Sequence, residues 1–139
     1  MIANSIGAYF SMNANIENEI AHAYFISPIV DMERLIADMM CWAGVTEQEL
    51  RQKEIIHTSF GEDLSWEYLC YVRKHPVSWD VLTDILYGSQ DHLTSMDTIT
   101  AFARSHHASL SAMETGEHWL HTQAQMLFLD TWLKEKIAL

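Results

Sequence analysis

Residues 1–12 read MIANSIGAYFSM, a short apolar run that reaches a serine and continues into a helical pattern. Ile2 to Ser5 predict a β-strand, and Gly7 to Asn13 predict a short helix. A strand that is followed by a serine and then a helix places the serine side chain at the N-terminus of that helix, where it can act as a nucleophile. The fold therefore depends on whether further strands follow and build a sheet around Ser5.

Strand and helix patterns alternate along the rest of the chain. Strands are predicted at residues 20–26, 83–87 and 108–113. Ser27-Pro28 ends the first of these, because proline donates no hydrogen bond to a sheet. Strands that alternate with helices favour a parallel sheet with right-handed crossovers, so the predicted fold class is α/β.

Residues 31–76 show helical spacing almost throughout. Gly44 ends the first predicted helix, and Thr46-Glu47-Gln48-Glu49 is a capping box that opens a second. A third helix begins at Glu62 or Ser65 and ends before His75-Pro76. The chain is thus predicted to consist of residues 1–30, a helical insertion at 31–76, and residues 77–139.

Two further helices are predicted after the insertion. A capping box of Thr94 and Asp97 precedes a helix that buries Ile99, Phe102 and Ala103. A last helix, which already includes His121, is predicted to pack through five apolar residues: Leu120, Ala124, Leu127, Phe128 and Trp132.

Composition and charge limit the class of protein. With 139 residues, 49% of them hydrophobic and 19% charged, the chain can bury the core of one compact domain. No apolar run approaches the roughly 20 residues that span a bilayer, and the N-terminus lacks the basic region of a secretory signal. A net charge of −11 argues against nucleic acid and anionic membranes as partners.

Cys41 and Cys70 lie within apolar helical patterns. Free, buried thiols are therefore predicted rather than a disulfide. Together with the absence of a signal sequence, this favours a cytoplasmic location.

Polar residues follow each predicted strand, at the edge of a parallel sheet where functional groups collect. They are Ser5, Asp31, Asp91 and His118. A serine nucleophile needs a base to take its proton, and the base needs a carboxylate to orient it. The chain order serine, aspartate, histidine is the order that α/β-hydrolases use.

The sequence resembles the C-terminal half of an α/β-hydrolase of the serine esterase type. Ala3-Asn4-Ser5-Ile6-Gly7 resembles the nucleophile elbow, with alanine where the family has its first glycine. Leu86-Tyr87-Gly88-Ser89-Gln90-Asp91 resembles the acid loop, and Thr115-Gly116-Glu117-His118-Trp119 resembles the histidine loop. The resemblance covers essentially the whole chain but only part of the family's fold.

The resemblance implies a function and a role for each residue. Ser5 would be the nucleophile, His118 the general base and acid, and Asp91 the group that orients His118. The backbone N–H of Ile6 would supply half of the oxyanion hole, and residues 31–76 would form the cap over the acyl pocket. The implied reaction is hydrolysis of a carboxylic ester or related acyl bond of a small molecule, without a cofactor.

Each of these residues has an alternative reading. In the alternative reading of Ser5, its role is limited to capping the following helix. Asp31 follows the second strand and is a rival for the acid, and His121 lies close to His118 in sequence. Glu114, Glu117, His118 and His121 could suggest a metal site, but they show no established zinc spacing, so no metal is predicted.

The resemblance also implies missing parts. The family has several strands and helices before its elbow, and a loop there gives the second oxyanion donor. We therefore expect a truncated chain with impaired activity alone. An exposed sheet edge at Ile2 to Ser5 would favour association, either with the N-terminal half of the same fold or with a second copy. A non-catalytic or complementing half-domain is the alternative function.

Overall fold

The computed structural model describes residues 1–137 and contains a four-stranded parallel sheet. From one edge of the sheet to the other, its strands are Ile2–Asn4, Ala23–Ile26, Thr83–Gly88 and Ser109–Met113, and each neighbouring pair is parallel. The predicted α/β class with a parallel sheet is confirmed. The helices and strands have these bounds: β1 Ile2–Asn4, α1 Ile6–Met12, β2 Ala23–Ile26, α2 Met32–Ala43, α3 Glu47–Lys53, β3 Ile55–His57, β4 Asp63–Ser65, α4 Trp66–Lys74, β5 Thr83–Gly88, α5 Met96–Ser105, β6 Ser109–Met113 and α6 Gln123–Lys136.

The chain divides into two compact units. One comprises Met1–Val30 together with the chain from Val77 onward, and it holds the parallel sheet. The other is Asp31–Pro76. A cap function for this second unit stays a prediction.

The second unit is mainly helical, but it also contains a two-stranded antiparallel hairpin that the periodicity did not predict. Strand β3 pairs with β4, and Ile56 lies opposite Leu64. Two adjacent β-branched residues, Ile55 and Ile56, favour a strand, and Gly61 adopts φ 90 in the connection. Helix α4 begins directly after the hairpin because the Ser65 side chain accepts the N–H of Tyr68.

Local capping signals in this unit are confirmed. Gly44 ends α2 in the left-handed conformation with φ 65, and Thr46 and Glu49 form a reciprocal capping box at the start of α3. Arg73 of α4 joins the other two helices, since its guanidinium donates to Glu33 at 2.7 Å and to Glu47 at 2.7 and 2.9 Å.

Apolar side chains cover both faces of the parallel sheet. Strand β5 is buried at every residue. Helices α1 and α5 contribute to the core on one face, which contains Ala8, Met12, Ala23, Phe25, Val30, Trp79, Val81, Ile85, Tyr87, Ile99, Phe102 and Ala103. The core on the other face comprises Ile26, Leu86, Met113, Leu120 and Trp132. This two-sided packing fixes the carboxyl ends of the strands, where the polar residues lie.

The prediction for the last helix was wrong in two respects. Helix α6 begins only at Gln123, because Thr122 and Gln125 form its capping box, so His121 precedes the helix. Leu127 and Phe128 are 66% and 40% exposed, whereas Trp132, Leu129 and Leu133 pack toward the sheet. The capping box sets where the helix starts, and the sheet selects which of its two apolar stripes is buried.

The start of α5 is one residue later than predicted. Ser95, not Thr94, caps the helix by accepting the N–H of Thr98 at 3.1 Å. Thr94 is buried instead, and its hydroxyl donates to the carbonyl of Pro28 at 3.3 Å. The predicted burial of Ile99, Phe102 and Ala103 is confirmed.

Both cysteines are free, but the predicted burial of Cys41 is wrong. Cys41 is exposed because α2 buries Met32, Leu35, Ile36 and Met40 along its other side. Cys70 is half-buried. Within residues 1–137, no helix is both long enough and apolar enough to cross a bilayer.

Candidate active site

Ser5 occupies a strained turn between β1 and α1. Its backbone has φ 49 and ψ −125, a conformation that non-glycine residues rarely adopt and that concentrates at functional sites. Three backbone hydrogen bonds hold it there. The N–H of Ser5 donates to the carbonyl of Ile26 at 3.0 Å. The carbonyl of Ser5 accepts the N–H groups of Ala8 and Ile29, each at 3.1 Å.

Asp91 lies in the turn that follows β5. Its Oδ1 accepts the backbone N–H groups of Leu93 at 2.8 Å and Thr94 at 3.1 Å. Its side chain is 0% exposed. The carboxylate is therefore fixed in direction before any contact with His118 is considered.

Tyr87 stabilises the same turn from inside the core. Its hydroxyl donates to the carbonyl of Thr94 at 2.8 Å, and its side chain is 1% exposed. Burial raises the pKa of Tyr87, and the negative charge of Asp91 raises it further. Tyr87 thus stays a neutral donor at physiological pH.

The turn with Asp91 is joined directly to the loop that carries His118. Gln90 donates its N–H to the carbonyl of Gly116 at 2.8 Å, and Thr115 donates its N–H to the hydroxyl of Ser89 at 2.9 Å. Gly88 and Gly116 allow the two backbones to come this close. One rigid assembly therefore positions both Asp91 and His118.

The structure brings Ser5, His118 and Asp91 together in one chain of hydrogen bonds. Ser5 Oγ lies 2.7 Å from His118 Nε2, and His118 Nδ1 lies 2.7 Å from Asp91 Oδ2. An ionised carboxylate only accepts, so we assign the proton of the neutral ring to Nδ1, and Nε2 then accepts from the Ser5 hydroxyl. The side chain of His118 is 11% exposed. This arrangement can remove a proton from Ser5 and stabilise the resulting imidazolium.

Ile6 is the first residue of α1. Its N–H has no carbonyl partner one turn earlier in the helix, because the first N–H groups of any helix lack one. Such a group next to a nucleophile can donate to a developing oxyanion.

The rival residues make other contacts. Asp31 caps α2 by accepting the N–H of Arg34 at 2.9 Å. His121 Nδ1 lies 2.7 Å from the carbonyl of Trp119 and 3.4 Å from Glu117. Among the residues that the structure describes, no group of three or more His, Cys, Asp or Glu side chains is arranged to hold a metal ion.

One residue at this site was missed by the sequence reasoning. The ring of His92 lies 6.3 Å from the ring of His118, with an angle of 75° between their planes. Its position directly after Asp91 was the only signal in the sequence, and adjacency alone does not say where a side chain lies.

Comparison with known proteins identifies the fold. No family model matches the chain, and no curated protein matches it. Est1E from Butyrivibrio proteoclasticus superposes with a TM-score of 0.73 and 17% identity, over 100% of this chain and 61% of Est1E. Alpha/beta hydrolase domain-containing protein 10 from mouse gives 0.73 and 12%, over 99% of this chain and 60% of that one. This chain has an α/β-hydrolase fold.

The α/β-hydrolase fold is present only in part. The chain spans 61% and 60% of the two proteins named above. A serine hydrolase without a lid from Xanthomonas campestris is also similar, with a TM-score of 0.55 and 14% identity, over 99% of this chain and 45% of that one. The predicted resemblance to α/β-hydrolases is confirmed at the level of the fold.

Proposed function

We propose that this chain carries the catalytic residues of a serine hydrolase that cleaves a carboxylic ester or a related acyl bond. The observation that supports the proposal most strongly is the continuous hydrogen-bond chain from Ser5 through His118 to Asp91, with both links at 2.7 Å. Two further features agree with it: the strained turn at Ser5 and the α/β-hydrolase fold.

In the proposed reaction, Ser5 Oγ attacks the carbonyl carbon of the substrate while His118 Nε2 takes its proton. The protonated His118 then donates that proton to the leaving alcohol, and an acyl-enzyme forms on Ser5. Water then attacks the acyl group while His118 takes its proton. His118 returns this proton to Ser5 Oγ as the bond between Ser5 and the acyl group breaks, and the carboxylic acid is released. Asp91 holds the ring in the required tautomer and stabilises its charged form.

The Ile6 N–H is proposed as one of two oxyanion donors. Loss of one donor typically lowers the rate about 10²- to 10³-fold. Within residues 1–137 we assign no counterpart to the loop that gives the second donor in α/β-hydrolases. We therefore expect this chain alone to react slowly.

The substrate is proposed to be a small-molecule acyl compound, with no cofactor required. Ferulic acid is bound to Est1E in a further solved structure, so feruloyl esters belong in the first panel of substrates beside short aliphatic esters. Residues 31–76 are proposed to cover the acyl pocket.

A cytoplasmic location stays a prediction. Cys41 and Cys70 are free thiols, and they would stay reduced in that compartment.

A fluorophosphonate probe, which reacts with activated serines, tests the proposal. The wild-type chain should be labelled, and Ser5→Ala should abolish the labelling. Ser11→Ala is the matched control, since Ser11 lies on α1 and its hydroxyl donates only to the carbonyl of Gly7 at 2.8 Å. Labelling that persists in Ser5→Ala, or that is absent from the wild type with and without an added N-terminal half, would contradict the proposal.

A second candidate is a half-domain whose purpose is association. Among the residues that the structure describes, strand β1 pairs with a neighbour on one side only, and Ile2 is 54% exposed. Helix α6 presents Leu127 and Phe128 to solvent. The proposed partner is the remaining part of the same fold, or a second copy. Light scattering after size exclusion tests this candidate. A chain that is monomeric and does not bind an added N-terminal half would count against it.

A further inference from the structure

His92 is exposed, but its backbone is fixed from both sides. Before it, the Asp91 carboxylate binds the N–H groups of Leu93 and Thr94 and so closes a tight turn around His92. After it, Thr94 is held by the hydroxyl of Tyr87 and by the carbonyl of Pro28. The imidazole of His92 can therefore leave its position only by rotation of its own side chain.

The ring of His92 meets the ring of His118 at a distance and angle that suit an aromatic pair. Their centroids are 6.3 Å apart and their planes cross at 75°. Edge-to-face pairs prefer centroid separations of about 4.5–7 Å. Both nitrogens of His118 already have partners in Asp91 and Ser5, so the contact with His92 is one of ring packing.

Such a contact restrains His118 where its hydrogen bonds do not. The bonds to Asp91 and Ser5 hold the two nitrogens, yet the ring can still tilt about the line that joins them. His118 must serve Ser5 and then the leaving group from nearly one position, and small errors in position are costly in rate. A second ring against it reduces this freedom.

We propose that His92 is a positioning residue that holds the ring of His118 in the orientation needed for proton transfer. This rests on the proposed function, since it assigns His118 as the base. His92 does not itself react with the substrate in this proposal.

Two substitutions separate ring packing from other roles of His92. His92→Ala removes the ring, and we expect fluorophosphonate labelling to slow about 3- to 10-fold, the scale of one aromatic pair. His92→Phe keeps a ring that cannot be protonated, and we expect labelling within about twofold of the wild type. The thermal unfolding temperature should be nearly unchanged in His92→Phe, and in His92→Ala it should fall by no more than the loss of this one ring contact of an exposed residue implies.

The matched control is His107→Asn. His107 also carries an exposed imidazole, but it precedes β6. It therefore lies at the amino end of the strands, away from the carboxyl ends where the candidate site lies. Its φ of 53 suits asparagine. Labelling by this variant should equal that of the wild type.

Nuclear magnetic resonance of the His118 ring separates failure of this proposal from failure of the proposed function. In the wild type, the Nδ1 proton of His118 should be protected from exchange with solvent. Its exchange rate should be the same in His92→Phe and faster in His92→Ala. This readout does not need activity. An unchanged exchange rate and labelling rate in His92→Ala would overturn the proposal, and so would a His92→Phe variant as slow as His92→Ala.

Discussion

Gly88 and Gly116 lie so close together that Gly88 has no room for a side chain and Gly116 has very little. A Cβ atom on Gly116 would stand 3.0 Å from the Cα of Gly88, and a Cβ atom on Gly88 would overlap the backbone carbonyl of Gly116. The two glycines join the end of β5 to the loop that carries His118. Their contact therefore links the position of the acid to that of the histidine.

We expect Gly88→Ala to destabilise the chain and disturb the site together. The added methyl group would meet backbone atoms that cannot rotate away, at a cost of about 1–3 kcal/mol in the free energy of unfolding. The hydrogen bond from Gln90 to Gly116 would lengthen, which would move Asp91 relative to His118. Urea unfolding measures the stability, and the rate of fluorophosphonate labelling measures the site.

Gly7→Ala is the matched control for this substitution. Gly7 lies in α1, and a Cβ atom there would have no neighbour within 4 Å. Alanine in a helix should raise the free energy of unfolding by about 0.5–1 kcal/mol. Equal stability of Gly88→Ala and the wild type would show that the contact between Gly88 and Gly116 can relax.

Asp91→Asn tests which carboxylate orients the base. The amide would keep the shape but could present an N–H to His118 Nδ1, which favours the wrong tautomer. We expect the labelling rate to fall by roughly 10³-fold or more.

Asp31→Asn is the control, because Asp31 caps α2 and asparagine caps equally well. Its labelling rate and stability should match the wild type. A loss of labelling in Asp31→Asn that Asp91→Asn does not show would reverse the assignment of the acid.

The hydrogen-bonded carboxylate of Asp84 predicts a pH-dependent contribution to stability. Asp84 lies 2.8 Å from His22 Nε2 and 2.7 Å from Lys136 Nζ. Burial alone would raise the pKa of Asp84, but hydrogen bonds from Lys136, His22 and Ser109 outweigh it and hold the pKa below its ordinary value. A depressed pKa in the folded state stabilises the fold above the unfolded value, and this contribution is lost as the pH falls through the folded value.

We therefore expect Asp84→Asn to lower the free energy of unfolding by about 1–3 kcal/mol at pH 7 and by less at a pH below the pKa of Asp84. Urea unfolding at both pH values measures the difference. Asp130→Asn is the control, since it breaks only the exposed pair with Lys134 and should cost no more than about 0.5 kcal/mol. A loss for Asp84→Asn that is the same at both pH values would contradict the role of its charge.

The two apolar sides of α6 should respond differently to truncation. Trp132 is 5% exposed and packs with Leu86 and Met113, so Trp132→Ala should lower the free energy of unfolding by about 3–5 kcal/mol. Leu127 is 66% exposed, and Leu127→Ala should change the free energy of unfolding by less than about 0.5 kcal/mol. A large loss in Leu127→Ala would indicate that this side of α6 is covered in solution, as association would require.

Local signals in the sequence determined most of the fold. The alternation of strands and helices predicted the parallel sheet, because each pattern reports which face of a segment is apolar. Gly44 and the box of Thr46 and Glu49 marked helix ends through hydrogen bonds between residues a few positions apart. The order of Ser5, Asp91 and His118 along the chain also predicted that they would meet.

Contacts between distant residues decided the rest. Helix α6 carries two apolar stripes, and only the position of the sheet decides that Trp132 is buried and Leu127 exposed. The sequence likewise did not show that His92 lies against His118, because the direction of a side chain in a turn depends on the bonds that close that turn. Residue types and local hydrogen bonds are properties of the sequence by itself. The 2.7 Å links from Ser5 to His118 and from His118 to Asp91 join residues 113 and 27 positions apart, so only the packed sheet could create them.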